Sequence, residues 1–527
     1  MTVLSTDLVK DLHAGEASCA FKQFLFGKPS WIVTLIVLLA VAPFLGRFVY
    51  LVRPLDNDAS IFIYMGKLVT QGSPYWEEFR DNKFPGVGLV MSVFYRTLGI
   101  DWLNYVVMGW VLALASAGIL ARAVGRHIRP EAAWPAFVYA SIYFNLNTAV
   151  FAGFELETVQ VFFCVLAFSA GLEAIGGNSK WDAMVVGLVA GFGAWLKPTA
   201  LGIAGAVWIT AMICRPGWKV RIELTLAMIG GAMIPLGALL FYLWQVGLLP
   251  VMPEIVKETG RYAAETPWRW GDCFKPCVVL VISGLPFLVR GWVMRRKKLG
   301  LMAEPMGFRA GLKSVVILGV VWLCVEMLGA VAQRRMYSYH FYPVLAPMAV
   351  LFASFPRRDT SAGLIGAIFP LVLLSCFHAK EVIAYKEPAE HLATQFVLAN
   401  TKPGDRVWMD CGARLALETD RALGSRYALM FLLSNYDDAP QKYGEILVND
   451  LKERRPKYVL LPGRLKQQIS CEQEWWDQLR RSPIRAERYE KAWMDLEGFV
   501  KSNYVLTGWI QDQKVYQLRG TSPIVTP

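Results

Sequence analysis

Repeated apolar runs constrain this chain more than any other feature. They lie at about 31–51, 104–121, 134–151, 158–175, 182–196, 199–213, 223–247, 277–293, 312–332, 341–355 and 361–379, and many approach the roughly 20 residues that cross a bilayer as a helix. A shorter run covers about 84–98. Only 18% of the residues are charged and 55% are hydrophobic, where soluble domains average about 25% charged. This composition excludes disorder, a collagen repeat and a disulfide scaffold, and argues against a single soluble domain. The net charge of +12 fits loop charges that fix orientation in a membrane; no nucleic-acid-binding motif accompanies it. The nine Cys and five His show no zinc spacing. Residues 1–30 are polar, and no small-residue cleavage site follows the first run, so no cleavable signal peptide is expected.

The pattern predicts an α-helical polytopic membrane protein with a soluble C-terminal α/β domain. Residues 1–30 form a cytoplasmic segment, 31–385 the transmembrane domain with a first outer loop at 52–103, and 386–527 the α/β domain. The last part is charged and holds β-rich stretches such as Tyr458-Val459-Leu460-Leu461. Lys and Arg in short loops mark the cytoplasmic side: Arg122, Arg126 and Arg129; Lys180; Arg215, Lys219 and Arg221; Arg295 to Lys298; Arg357 and Arg358. Working inward from both ends requires an odd number of spans. With 84–98 lying at the outer interface, about eleven result, and about thirteen if one break is missed. This parity places residues 53–83, 153–157, 197–199 and 333–342 on one outer side, joined by the loop at 248–276. Polar groups near membrane depth are costly and usually line a cavity or pathway.

Each cluster has a plain reading beside a chemical one. Asp56 or Asp58 caps the amphipathic stretch that follows, or serves as a general base. Asp81-Asn82-Lys83-Phe84-Pro85-Gly86 puts Lys83 on a turn beside the membrane, either snorkelling or binding phosphate as a point charge. Glu155 and Glu157 suit the first turn of a helix. Lys197 precedes Pro198 at a chain break; Arg334, Arg335, His340 and Tyr342 suit interface charges or packed aromatics. Lys257 and Arg261 are weaker candidates.

The order Asp58, Phe62, Tyr64, Gly66, Gly72, Pro74-Tyr75, then Asp81 to Gly86, resembles the first outer loop of polyprenyl-phosphate-sugar-dependent glycosyltransferases of the GT-C superfamily. The similarity is greatest to the branch holding protein mannosyltransferases and the aminoarabinose transferase of lipid A. Asn82 stands where that family has His, Phe84 where it has Pro, and Ala59 where Glu is common. Gly153 to Thr158 is similar to its second acidic motif, Gly191 to Thr199 to its glycine-rich helix ending in Lys-Pro, and Tyr339 to Pro343 to its donor-facing aromatic segment.

The resemblance implies an inverting transfer from a polyprenyl-phosphate-linked sugar to a hydroxyl of a glycan, lipid A or core, or protein. It places the chain in the bacterial inner membrane with the C-terminal domain periplasmic. Asp58 is the implied base, with Glu157 orienting the acceptor or a sugar hydroxyl. Lys83, Lys197, Arg334, Arg335 and His340 are implied at the phosphate, and Asp56, Asp81, Glu155 and Tyr342 as further candidates. No obligatory metal or other cofactor is expected, a divalent ion staying open. A transporter also suits intramembrane charges and broken helices, though no internal repeat is seen. A ligase or polymerase using lipid-diphosphate donors is the other rival.

Overall fold

A computed structural model of the chain describes residues 57–73, 75–81, 83–150, 154–215, 217–265, 277, 280, 281, 283–288, 306–334, 338–354, 389–410, 412–427, 436–463, 479 and 482–521. The segment 1–30 and the runs at 31–51 and 361–379 lie outside these residues, and the run at 277–293 falls on them only in part. The first loop forms α1 (Asn57–Thr70), the one-turn α2 (Tyr75–Glu78) and α3 (Gly86–Leu98). The apolar runs that follow form α4 (Trp102–His127), α5 (Ala133–Val150), α6 (Leu156–Gly177), α7 (Lys180–Leu196), α8 (Leu201–Cys214) and α9 (Trp218–Gln245). After α10 (Met252–Ala264) come α11 (Met306–Ala332), a 3-10 segment at Ser338–Val344 and α12 (Leu345–Ala353). The short run at 84–98 is helical as α3, with Val87 and Met91 buried.

Local chemistry sets the helix ends. Asp101 caps α4 by accepting from the Leu103 amide at 2.9 Å, and Ser179 caps α7 from the Asp182 amide at 3.2 Å. Each satisfies an amide that a helix start leaves without a partner. Pro198 disfavours helical backbone at the residue before it, so Lys197 is extended and α7 stops there.

Helices α4, α6 and α9 and residues Gly311–Ala332 of α11 are long and apolar enough to cross a bilayer. On α9, Leu226, Ile229, Met233, Ile234, Leu240 and Phe241 are all exposed. A stripe of that size is untenable in water but is at rest against lipid. Exposed Trp218 and Trp244 stand near the two ends of the stripe, where amphipathic indoles favour the bilayer interfaces. With no hydrophobic drive between helices in lipid, close backbone approach matters. Gly187 on α7 lies against the Met228 carbonyl of α9, and Gly231 on α9 against the Met184 carbonyl of α7.

One end of the helical body is rich in basic residues, with Arg122, Arg126, Arg129, Lys180, Arg215, Lys219 and Arg221 at or near the helix ends there. It gathers Arg126 and His127 with Glu173, at 3.0 and 3.3 Å, and Lys180 with Glu223 at 3.2 Å. The other end carries the start of α6, the end of α7 and the 3-10 segment. The last part of the chain alternates helix and strand: α13 (Ala389–Asn400), β1 (Arg406–Met409), α14 (Ala413–Thr419), β2 (Ala422–Leu423), α15 (Ala439–Arg454), β3 (Tyr458–Pro462), α16 (Pro483–Asn503), β4 (Tyr504–Ile510) and β5 (Gln513–Leu518). The strands form one sheet in the order β2-β1-β3-β5-β4. β1 runs parallel to β2 and β3, and β5 antiparallel to β3 and β4. Strand β3 is buried along its whole length, which is why Tyr458-Val459-Leu460-Leu461 reads as a continuous apolar run. Trp408, Tyr427, Tyr443 and Leu447 share one buried cluster with Ile61, Phe62, Met65, Trp76 and Phe79 of the first loop. The sheet unit and the first loop are therefore packed on a common core.

Candidate active site

Asp58 sits in the first turn of α1, partly exposed. Phe62 is one turn further on the same face, and the Lys83 ammonium lies over its ring at 5.8 Å from the centroid. Lys83 is thus laid along the face of α1 that carries Asp58. Burial opposes its charge, but Asp81, Asp58, Tyr262 and Glu157 outweigh burial and hold Lys83 above its ordinary range. The nearby acids keep this lysine cationic, the form that can meet an anion.

Glu157 lies in the first turn of α6 and is buried. Its Oε1 accepts from Lys197 Nζ, which projects from the break between α7 and α8. Lys197 also stands 5.5 Å from the centroid of the Tyr339 ring. Glu157 is thus paired with Lys197, and its charge also acts on Lys83. One turn along α6, Gln160 donates to the Thr199 hydroxyl at 3.1 Å, tying the two motifs a second time.

A close contact seats the loop on the helical body. A Cβ added at Gly86 would come within 2.6 Å of the Trp195 Cβ and carbonyl oxygen. Trp195 in turn donates from Nε1 to the Pro235 carbonyl at 3.1 Å. Gly86→Val is expected to push the start of α3 off α7 and part Lys83 from Lys197. Overpacking of this kind costs about 1–3 kcal/mol, read as a lower unfolding temperature, and turnover per folded molecule should drop with it.

The structure thus brings together Asp58, Asp81, Lys83, Glu157 and Lys197, with Tyr339 beside them. Glu155 is buried at the extended residue before α6 and makes no capping bond. His340 is buried one ring away, edge-on to Tyr339 at 4.6 Å. Tyr342 donates to the Phe144 carbonyl at 3.1 Å and packs on its ring, a contact that anchors the aromatic segment to α5. Arg334 is exposed, at positive φ, and donates to the Ala264 carbonyl at 2.8 Å, joining the ends of α11 and α10. Asp56 and Arg335 lie outside the described residues. Lys257 is exposed on α10, and Arg261 turns to Glu265 and Asp438 at 2.7 and 2.5 Å. Among the described residues no three His, Cys, Asp or Glu side chains gather as a metal cage. Tyr262, which acts on Lys83, belongs to none of the motifs; its neighbour Arg261 stands out in the sequence by its charge, and the phenol does not.

No protein-family model matches the sequence, and no curated protein sequence is similar to it. Solved structures do match. ArnT from Cupriavidus metallidurans bound to undecaprenyl phosphate superposes with a TM-score of 0.55 at 11% identity, over 92% of this chain and 98% of that one. The Archaeoglobus fulgidus oligosaccharyltransferase tethered with an acceptor peptide matches with a TM-score of 0.47 at 13% identity, over 88% of this chain and 72% of that one. At such low identity the match shows the fold: the chain shares the fold of ArnT over 92% of its length, as the resemblance of its first-loop motif implies.

Proposed function

We propose that the chain is a membrane glycosyltransferase that moves a sugar from a polyprenyl-phosphate carrier to an acceptor hydroxyl on the outer face of the membrane. The observation that carries this reading is the convergence of Asp58, Lys83, Glu157 and Lys197, from three separate stretches, at one end of a body with the ArnT fold. Asp58 takes the proton from the acceptor hydroxyl as its oxygen attacks the anomeric carbon. The bond from that carbon to the phosphate oxygen breaks, and the lipid phosphate leaves with the electron pair, so the anomeric centre inverts. Lys83 and Lys197 meet the charge growing on the leaving phosphate. Glu157 holds Lys197 in place and orients an acceptor or sugar hydroxyl. The lipid carrier explains why this polar cluster sits at the edge of an apolar helical body.

The test is turnover of purified protein in nanodiscs with a polyprenyl-phosphate-linked sugar and an envelope acceptor fraction. Acceptor-dependent release of polyprenyl monophosphate is expected. Release of a lipid diphosphate would instead mark a ligase or polymerase, and movement of the intact lipid-linked sugar without cleavage would mark a transporter. Sidedness has its own test. Ser502 and Asn178 are both exposed, on the sheet unit and at the basic end of the helices. Ser502→Cys should react with an impermeant thiol reagent in intact cells above the wild-type background, and Asn178→Cys should not. The reverse pattern would put the site on the inner face and overturn the proposed access from outside.

A further inference from the structure

Helix α1, which carries Asp58, is buried on all sides: Ala59 to Met65, Lys67 and Leu68 have almost no exposed surface. On one side it meets α3, where a Cβ at Gly66 would touch the Met91 carbonyl at 2.5 Å. On the other it meets α14 of the sheet unit. Lys67 is the informative residue. A lysine only 5% exposed needs a partner, and it finds one at the carboxyl end of α14. It donates to Asp420 Oδ1 at 2.6 Å and to the Ala416 carbonyl at 3.4 Å, where the helix dipole favours a cation.

The same ties continue along the loop. Glu78 Oε2 accepts from Arg406 and from Arg454, both at 3.0 Å. Arg454 also donates to the Glu77 carbonyl at 2.6 Å, and the Arg80 amide to the Arg426 carbonyl at 2.7 Å. Burial alone would raise the Glu78 pKa, yet the two guanidinium groups bring it below its ordinary value. The tied stretch ends at Arg80, directly before Asp81 and close to Lys83. Glu157, Lys197 and Tyr339, in contrast, belong to the helical body.

We infer that Lys67 and Glu78 are positioning residues through which the sheet unit clamps the first loop, setting where Asp58 and Lys83 stand against Glu157 and Lys197. The inference rests on the transfer reading for what the site does, but the clamp itself is a separate physical claim. Displacing the base and Lys83 by about 1 Å costs rate steeply, while donor binding loses only the share that Lys83 contributes and keeps what the lipid contributes. The clamp therefore acts on kcat more than on KM.

Four variants of the full chain test it: Lys67→Met, Lys67→Arg, Glu78→Gln and Asp420→Asn. Hydrogen exchange is followed over residues 57–73 and 83–98, and kcat and donor KM are measured per folded molecule. Lys67→Met and Glu78→Gln should speed exchange across both segments and lower kcat by about tenfold or more, with a smaller change in KM. Lys67→Arg, which keeps the charge and the donor, should restore both readouts. If Lys67→Met fails to fold, Asp420→Asn cuts the same tie from a side chain that is 78% exposed, leaving no buried void. Unchanged exchange in the variants overturns the clamp, as does activity loss that only follows the amount of folded protein. If wild-type protein transfers no sugar, the transfer reading fails while the exchange data still decide the clamp.

Discussion

Asp58→Asn is expected to abolish sugar transfer and to leave the fold intact. The substitution is nearly isosteric, and Asn is as good as Asp at the start of a helix, so α1 should form as before. The carboxylate proposed to take the acceptor proton is gone, and loss of a positioned base costs about 10²–10⁴-fold. Lys83 keeps its charge because Asp81, the strongest of the acids acting on it, is untouched. Asp58→Glu retains the base but moves it by a methylene, so its rate should fall between the two. Asp81→Asn should instead weaken donor binding, since it disturbs the lysine and leaves the base in place; Asp56→Asn should do less than either. Turnover and donor binding are measured on each purified variant, with unfolding temperature as the control. An Asp58→Asn protein with full activity would remove Asp58 from the mechanism.

What the sequence shows of this molecule is local. The two halves of the first-loop motif, Asp58 to Gly66 and Asp81 to Gly86, the acids at the start of α6 and the Lys197-Pro198 break are short patterns whose residues lie within a turn or two of each other. Helical periodicity and a proline that ends a helix are enough to place them. The central strand of the sheet is visible for the same reason: β3 is buried on both faces and reads as a continuous apolar run. Contacts between distant segments leave no such trace. Lys67 and Asp420 are 353 positions apart, and nothing in either stretch marks the other. Lys67 reads as the polar face of an amphipathic helix, yet it is buried because the sheet unit covers that face. Tyr262 stays hidden for a related reason. On α10 the charged neighbours stand out, while the effect of the Tyr262 phenol on Lys83 is visible only in the folded chain.

The largest remaining effect is expected at the two lysines. Lys83→Met and Lys197→Met keep the apolar stem and remove the charge, so each tests electrostatics with little loss of packing. If both face the departing phosphate, each should lower kcat by about 10²–10³-fold, the scale for losing one preorganised donor to transition-state charge. Their combined effect should be smaller than the product of the single effects, because groups that serve one anion are coupled. The two differ in what they leave behind. Lys83→Met leaves Asp81 and Asp58 at the edge of the site. Lys197→Met strands Glu157, which is 3% exposed, and an unpaired buried carboxylate is strongly destabilising, on the order of 3–5 kcal/mol. Lys197→Met should therefore lose stability as well as rate, and Lys83→Met mainly rate. Adding Glu157→Gln to Lys197→Met removes the stranded charge. That double variant should regain much of the lost unfolding temperature while turnover stays low, which separates the role of the pair in folding from its role at the phosphate. Turnover against donor concentration in nanodiscs, with thermal unfolding of the same samples, measures both. A lysine that only snorkels to the interface gives kinetics close to wild type. Near-wild-type rates in both single variants would take Lys83 and Lys197 out of the site and leave Arg334 and Arg335 as the remaining cationic candidates.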